Sequence, residues 1–327
     1  MALVNVPPPP GPGGGPNRGG STREEGRPVP GWDGGERRPT SSMATLLREM
    51  AGTGLWILAL CLLGFVLWFA FVSRLHYDRV QVESYANFRI NLALATAPTG
   101  PTQPTAPGKL LVPGTPVAVL NIPEIGLTTV VFEGTTGRVL ESGPGHQRDT
   151  PLPGQPGVSV IFGRRAAYGG PFSRLPWLQI GDVFTVTTGQ GVASYRVIDR
   201  RRAGDPFPPP LAAGQGRLIL VTADGPPLAP FAVLDVDADL ISKPVPAPAM
   251  VVSAANLAPS EKALGTDPNA LVPVVLWGAL LLGAAALLAW AGQRWGRWQT
   301  WIVAVPVVLF LSLSISDQVA CLLPNLM

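Results

Sequence analysis

Three long apolar runs are the feature that most constrains what this chain can fold into. They extend from Leu55 to Val72, from Leu271 to Trp290 and from Trp298 to Ile315. A helix of about 20 predominantly apolar residues is long enough to cross the hydrocarbon core of a bilayer. We therefore predict three transmembrane helices in contact with membrane lipid. Their predicted boundaries are residues 53–74, 270–292 and 298–316.

The first run has an alternative interpretation as a secretory signal peptide. A long segment precedes it, however, and the nearest small-residue cleavage pattern, Ala95-Thr96-Ala97, lies too far downstream. The sequence therefore favours an uncleaved anchor.

Basic residues near the apolar runs predict the orientation of the chain. The turn between the second and third runs contains Arg294 and Arg297. Arginines also precede the first run: Arg18, Arg23, Arg27, Arg37, Arg38 and Arg48. Because short cytoplasmic segments carry an excess of Lys and Arg, we predict a multi-pass membrane protein with a fixed orientation. The N-terminus and the turn would be cytoplasmic, and the segment between the first two helices would be extracellular.

The N-terminal segment, residues 1–50, is rich in Gly and Pro and poor in large apolar side chains. Such a composition cannot bury enough apolar surface to offset the entropy lost on ordering, so we predict a disordered tail. It has no dense basic face with stacking aromatic side chains, which argues against a nucleic-acid partner.

The segment between the first and second apolar runs has the pattern of a β domain. We predict a juxtamembrane helix and stalk over residues 75–113, a domain over 114–242 and a linker over 243–269, with a short tail over 317–327. Short β-branched runs separated by Gly and Pro predict a mainly β fold, either a small closed barrel or a sandwich. The runs are VAVLNI, TTVVF, VSVIF, VFTVTT, ASYRVI, RLILVT and FAVLDVDADL.

The two cysteines, Cys61 and Cys321, lie inside an apolar run and just beyond another. The predicted β domain therefore has none and must fold without a disulfide. No Cys or Cys/His spacing typical of a zinc, haem or iron–sulfur site occurs, so we predict neither a metal nor a cofactor.

A series of short motifs in the middle segment resembles the sortases, bacterial cysteine transpeptidases that attach proteins to the cell wall or join pilin subunits. The resemblance covers about residues 114–240 and rests on the order and spacing of the motifs. They are IPEIGL, EGT, GPGH, TPLPGQPG, VSVIFG, AAYGGPFSRLPWLQIGD, TTGQG, a Tyr-x-Val strand and LILVTAD. The resemblance implies a closed barrel of about eight strands and a location at a bacterial cell membrane.

The resemblance also implies where catalytic groups should stand. In sortases a cysteine thiolate forms an acyl-enzyme, a histidine transfers protons and an arginine stabilises the oxyanion. At the matching positions this sequence has Ala223 for the cysteine and Arg164 for the histidine. The arginine is expected near Pro230 and Phe231, where the sequence is apolar. Because none of the three expected catalytic residues is present at these positions, we predict that the domain lacks sortase chemistry.

Three other residues are candidates to replace the missing catalytic groups. His146 is expected in a loop or turn, Thr222 should point away from the face of Ala223, and Asp224 could lie at the rim of the pocket. An active transpeptidase or hydrolase that uses these residues remains the alternative. A transporter is disfavoured because the predicted spans contain no internal charge.

The favoured hypothesis is a binding or scaffolding module at the cell envelope. Arg164, Arg165, Thr222 and Asp224 are the candidate ligand-binding residues, since paired guanidinium groups can hold a carboxylate or phosphate. Its partners could be a surface protein with a sorting-signal peptide, peptidoglycan or an active sortase. In the alternative interpretation, the two arginines are solvated or paired with Asp182 or Asp224. The run Arg200 to Arg202 is either a site for anionic lipid or wall polymer, or a solvated strand end.

Overall fold

The computed structural model describes residues 11, 43–104, 106–226, 230–249 and 251–327. Most of the N-terminal segment that was predicted to be disordered lies outside these residues. The first described helix already begins at Met43.

Within the described part of the chain, three helices are long and apolar enough to cross a membrane: Gly54–Ala93, Pro268–Trp295 and Trp298–Leu322. The first is continuous but changes character along its length. Its apolar half ends in a π-helical turn over Trp68–Val72, and a polar half follows. At 1.5 Å per residue, 40 residues extend roughly 60 Å, about twice the hydrocarbon thickness of a bilayer, so this helix is longer than a single crossing requires. The helices are α1 (Met43–Leu67), α2 (Ser73–Ala93), α3 (Gly137–Ser142), α4 (Leu271–Trp295) and α5 (Arg297–Leu322).

The segment between α2 and α4 forms a closed β-barrel, as predicted. Its eight strands follow the order β10-β8-β7-β3-β4-β5-β6-β9 around the barrel. Most neighbours are antiparallel, but β4 with β5 and β6 with β9 are parallel. The strands are β1 (Thr102–Gln103), β2 (Ala106–Leu110), β3 (Pro116–Ile122), β4 (Leu127–Glu133), β5 (Gly145–His146), β6 (Gly157–Phe162), β7 (Val183–Thr188), β8 (Gly191–Arg202), β9 (Gly216–Asp224) and β10 (Ala232–Leu240).

All seven β-branched runs became barrel strands, whereas β5 and the small hairpin of β1 and β2 were not predicted. Two-residue strands such as β5 are too short to show alternation in a sequence. The hairpin contains Pro and Gly, which do not indicate a strand.

The two faces of β9 determine the location of the candidate site. Leu218 and Leu220 belong to the main core of the barrel. Val221 and Ala223 belong to a second apolar cluster on the other face, with Leu140 of α3 and Leu326. Alternating side chains of a strand point to opposite faces, so the barrel wall itself separates the two clusters.

Helix α2 is bound to the barrel by polar side chains. The carboxamide of Gln81 donates to the carbonyl oxygens of Ser142 at 2.8 Å and Val130 at 3.2 Å, and it accepts from the Val130 amide at 2.7 Å. The hydroxyls of Tyr77 and Thr129 lie 2.9 Å apart. These bonds fix the barrel relative to the first long helix.

Candidate functional site

Ala223, at the position where the resemblance implies a nucleophile, lies near the end of β9. Its side chain is buried, with 1% of the residue exposed. The cluster around it comprises Leu140, Phe162, Val221, Ala223 and Leu326, with Val160, Ile219, Val233 and Leu264 partly buried against it. Ala223 therefore lies in a packed apolar cluster, and we call the space that the Leu326 side chain fills beside it the Ala223 pocket.

Arg164, at the implied histidine position, is also buried, with 1% exposed. Its Nη2 donates to the Gly137 carbonyl at 2.8 Å, and its Nη1 reaches the Met327 carbonyl at 3.5 Å. The guanidinium carbon lies 5.0 Å from the centre of the Tyr168 ring, a cation–π distance. Burial lowers the pKa of Arg164, and the nearby Glu141 carboxylate opposes that change.

Arg165, the next residue, has different partners. Its Nη1 donates to the Ala223 carbonyl at 2.9 Å and lies 3.6 Å from the Asp224 carboxylate. Asp224 also accepts from the Arg202 Nε at 2.6 Å. Burial alone would raise the pKa of Asp224, but its bonds to Arg202 and the Gly225 amide outweigh this effect and lower it. The pairing of an arginine with Asp224, one of the alternatives left open by the sequence, is thus present for Arg165.

Thr222 and Asp182 lie away from the Ala223 pocket. The Thr222 hydroxyl is fully buried and donates to the Gly163 carbonyl at 2.9 Å. The Asp182 carboxylate accepts from the Gln179 amide at 2.7 Å within a local turn.

The position implied for the catalytic arginine is occupied by Pro230 and Phe231, both apolar. Pro230 is partly exposed. Phe231 is 77% exposed and its amide donates to the Asp224 carbonyl at 3.2 Å. Its ring covers Gly225, where an added Cβ would approach the ring to 2.6 Å.

The expectation that His146 lies in a loop or turn is wrong. It lies in β5, which pairs with β4 and β6, and only 2% of the residue is exposed. Its Nδ1 is 3.0 Å from the Glu133 carboxylate. Its Nε2 is 3.0 Å from the Pro151 carbonyl and 3.2 Å from the Thr150 hydroxyl. The sequence missed this placement because β5 is too short to be recognised.

The space beside His146 is small. The cavity lined by Glu133, His146, Thr150 and their neighbours has a volume of about 10 Å³. This is close to the minimum for one water molecule and far below the size of a peptide. The Thr150 hydroxyl also has a nearer acceptor, the Gln147 carbonyl at 2.7 Å.

The segment Leu323–Met327, which follows α5, fills the Ala223 pocket. The sequence did not predict this contact. The Asn325 carboxamide donates to the carbonyls of Thr135 at 2.8 Å and Lys262 at 2.9 Å, and the Ser260 carbonyl lies 3.3 Å from the same nitrogen. The Arg165 amide donates to the Leu326 carbonyl at 3.0 Å. No local pattern in such a short segment indicates a tertiary contact.

Cys321, at the end of α5, comes close to the same region. Its thiol donates to the Glu141 carboxylate at 3.0 Å and is buried. Burial raises the pKa of Glu141, which the bond from Cys321 and the charge of Arg164 only partly oppose. Among the described residues, no three His, Cys, Asp or Glu side chains form a group that could hold a metal ion.

Comparison with protein families identifies a sortase domain at residues 120–224. The match runs from β3 to the last residue of β9 and so includes Arg164 and Ala223. A search of curated proteins found no match.

Among solved structures, the chain is similar to a sortase D5 transpeptidase from Clostridium perfringens, at 23% identity and a TM-score of 0.41, covering 50% of this chain and 99% of that one. It is also similar to the SrtF sortase from Corynebacterium diphtheriae, at 24% identity and a TM-score of 0.36, covering 42% and 91%. A third is sortase C-1 from Actinomyces oris, at 28% identity and a TM-score of 0.34, covering 39% and 75%.

Proposed function

We propose that the sortase domain of this chain is non-catalytic and acts as a binding or scaffolding module on the outer side of a bacterial cell membrane. The observation that carries the proposal is the environment of Ala223. A methyl group, buried in an apolar cluster that includes Leu326, stands where the resemblance implies an accessible thiol.

The chemistry of the neighbouring positions supports the same conclusion. A methyl group cannot form a thioester, and a guanidinium group does not release its proton to act as a base near neutral pH. Arg164 is further committed to backbone carbonyls and the Tyr168 ring. Thr222 and Asp224 already have hydrogen-bond partners and lack a neighbouring base.

The three helices and the sortase domain suggest a role in surface-protein or cell-wall assembly. We propose as partners a surface protein with its sorting-signal peptide, peptidoglycan or an active sortase. The charge pattern favours a cytoplasmic N-terminus and an extracellular barrel.

Two assays test this function. The purified full-length chain should neither cleave nor transfer a fluorogenic LPxTG peptide in the presence of an amine nucleophile, whereas an active sortase should do so in parallel. Turnover that disappears in Thr222→Val or Asp224→Asn would contradict the proposal.

The binding role needs its own measurement. A photoreactive residue at Phe231, 77% exposed beside the end of β9, should crosslink a specific envelope component in intact cells. The matched control is the same residue at Phe207, 84% exposed in the loop between β8 and β9. Identical products at both positions would argue against a partner at this end of the barrel.

One observation favours the alternative of an enzyme with non-standard residues. Thr150, His146 and Glu133 form a hydroxyl–imidazole–carboxylate chain with distances of 3.2 and 3.0 Å. The small cavity disfavours access of a peptide. Turnover that is lost in both Thr150→Val and His146→Gln, with unchanged thermal stability, would support this alternative.

A further inference from the structure

The segment Leu323–Met327 occupies the Ala223 pocket in the manner of a bound peptide. It leaves α5, whose helical hydrogen bonds end at the Leu323 amide, and turns back on itself through a bond from the Met327 amide to the Pro324 carbonyl at 3.0 Å. The segment thus brings its middle residues to the wall made by β6, β9 and α3.

The apolar contact is made by Leu326, which is fully buried. Its neighbours in the cluster come from three elements: Leu140 from α3, Phe162 from β6 and Val221 with Ala223 from β9. The pocket therefore fits one branched aliphatic side chain.

The main chain of the segment is recognised on both sides of Leu326. The Arg165 amide donates to the Leu326 carbonyl at 3.0 Å, and the Asn325 amide donates to the Gly265 carbonyl at 3.0 Å. The Asn325 carboxamide meets three further carbonyl oxygens, a set of acceptors that selects a side chain with an NH₂ group. These contacts select an Asn-Leu pair without requiring any group of the membrane helices.

The fit of this occupant is incomplete. Among the described residues, the Asn325 Oδ1 and the Arg164 Nε are buried without a hydrogen-bond partner. A buried polar group that lacks a partner weakens the state that contains it. The segment is therefore held less tightly than a fully paired ligand would be.

We propose that this pocket is a binding site for short peptides containing Asn-Leu, and that residues 323–327 are its intramolecular ligand, which leaves before another peptide enters. The inference deepens the proposed binding function by naming the ligand class of the same site. Exchange of the segment would couple peptide binding to α5, the helix from which it emerges.

A cysteine reporter in the full-length chain tests the proposal. In a Cys61→Ser, Cys321→Ser background, Ala223→Cys places the only thiol in the pocket. We expect slow reaction with a maleimide while the native segment is present. Replacement of residues 323–327 by a Gly-Ser sequence should accelerate the reaction at least about tenfold, as expected for removal of a locally protecting segment.

The peptide itself is then added in trans. An acetylated, amidated Leu-Pro-Asn-Leu-Met peptide should slow the labelling of the Gly-Ser variant. Matched peptides with Asp in place of the second Leu, or Ala in place of Asn, should leave the rate unchanged. The first substitution removes the aliphatic side chain and the second removes the carboxamide.

Two further reporters control for unfolding. Ala238→Cys, at a fully buried core position, should stay unreactive in every variant, and Val192→Cys, at a position 64% exposed, should always react rapidly. If the Gly-Ser replacement makes the core reporter reactive, the barrel has unfolded, and the single substitution Leu326→Asp is used instead of the Gly-Ser replacement.

An unchanged rate at position 223 after removal of the segment would overturn the inference, as would fast labelling that the native peptide does not slow. The readout is independent of catalysis. Turnover of a sorting peptide would therefore refute the proposed non-catalytic function without affecting the labelling result. Failure of the labelling experiment would refute the peptide site without showing that the chain is an enzyme.

Discussion

The backbone amide of Arg165 donates to the carbonyl oxygen of Leu326 at 3.0 Å, which joins the residue beside the implied histidine position to the segment after α5. The side chain of the same arginine donates to the Ala223 carbonyl at 2.9 Å. One residue thus connects β9 with the segment that follows α5. This connection explains why the site cannot be understood from the barrel alone.

Restoration of sortase chemistry should require removal of the segment as well as three substitutions. Catalytic groups that act together are strongly non-additive, so Ala223→Cys alone should show no turnover. Adding Arg164→His and Pro230→Arg should recover little, because Leu326 still fills the pocket. Measurable transfer of a fluorogenic sorting peptide is expected only when residues 323–327 are also replaced. Equal activity with and without the native segment would show that Leu326 does not block access.

The buried pair of Arg201 and Asp237 should be important for stability. The Arg201 Nε lies 2.5 Å from the fully buried Asp237 carboxylate. Breaking a buried ion pair lowers the free energy of unfolding by about 3–5 kcal/mol. The loss for Asp237→Asn should lie near the lower end of this range, because the Asp235 carboxylate remains 3.4 Å from Arg201. The matched control, Asp239→Asn, affects a carboxylate paired with Arg217 but 39% exposed, and should cost about 1 kcal/mol or less. Thermal unfolding of the full-length chain measures both, and equal losses would contradict the prediction.

Glu141 should make the stability depend on pH. Because burial raises its pKa in the folded chain, the unfolded chain ionises it first, and folding loses stability as the pH rises through the raised pKa. Glu141→Gln cannot ionise. Its free energy of unfolding, measured over a series of pH values, should therefore increase relative to that of the wild type from about pH 4 upward and then level off. The gain should be about 1.4 kcal/mol for each unit by which the pKa is raised. Exposed Glu124→Gln is the control, and a difference that does not vary with pH would refute the effect.

The charge pattern predicts which parts of the chain lie outside the cell. In a background without Cys61 and Cys321, Val192→Cys on the barrel should react with an impermeant maleimide in intact cells. Gln293→Cys, near the turn between α4 and α5, should react only after the cells are opened. The opposite pattern would reverse the proposed orientation.

The sequence by itself determined the three long apolar helices and the short strands, because both depend on local periodicity, whereas the choice of a closed barrel rested on the resemblance. Continuous apolar runs specify helices that lipid can surround, and short β-branched runs between Gly and Pro specify strands. The order of the motifs predicts Ala223 and Arg164 at the positions where the resemblance implies catalytic groups. The sequence could not locate His146 in β5, since a two-residue strand carries no periodic signal.

Only the tertiary structure decided what surrounds those positions. Leu326 is distant in the sequence from Ala223, yet the path of α5 brings it into the same apolar cluster. Arg164 was a candidate ligand for external anions, but burial commits it to the Gly137 carbonyl and the Tyr168 ring. The physical reason is that burial and pairing depend on which distant segments share one surface, and no local pattern in the sequence encodes that arrangement.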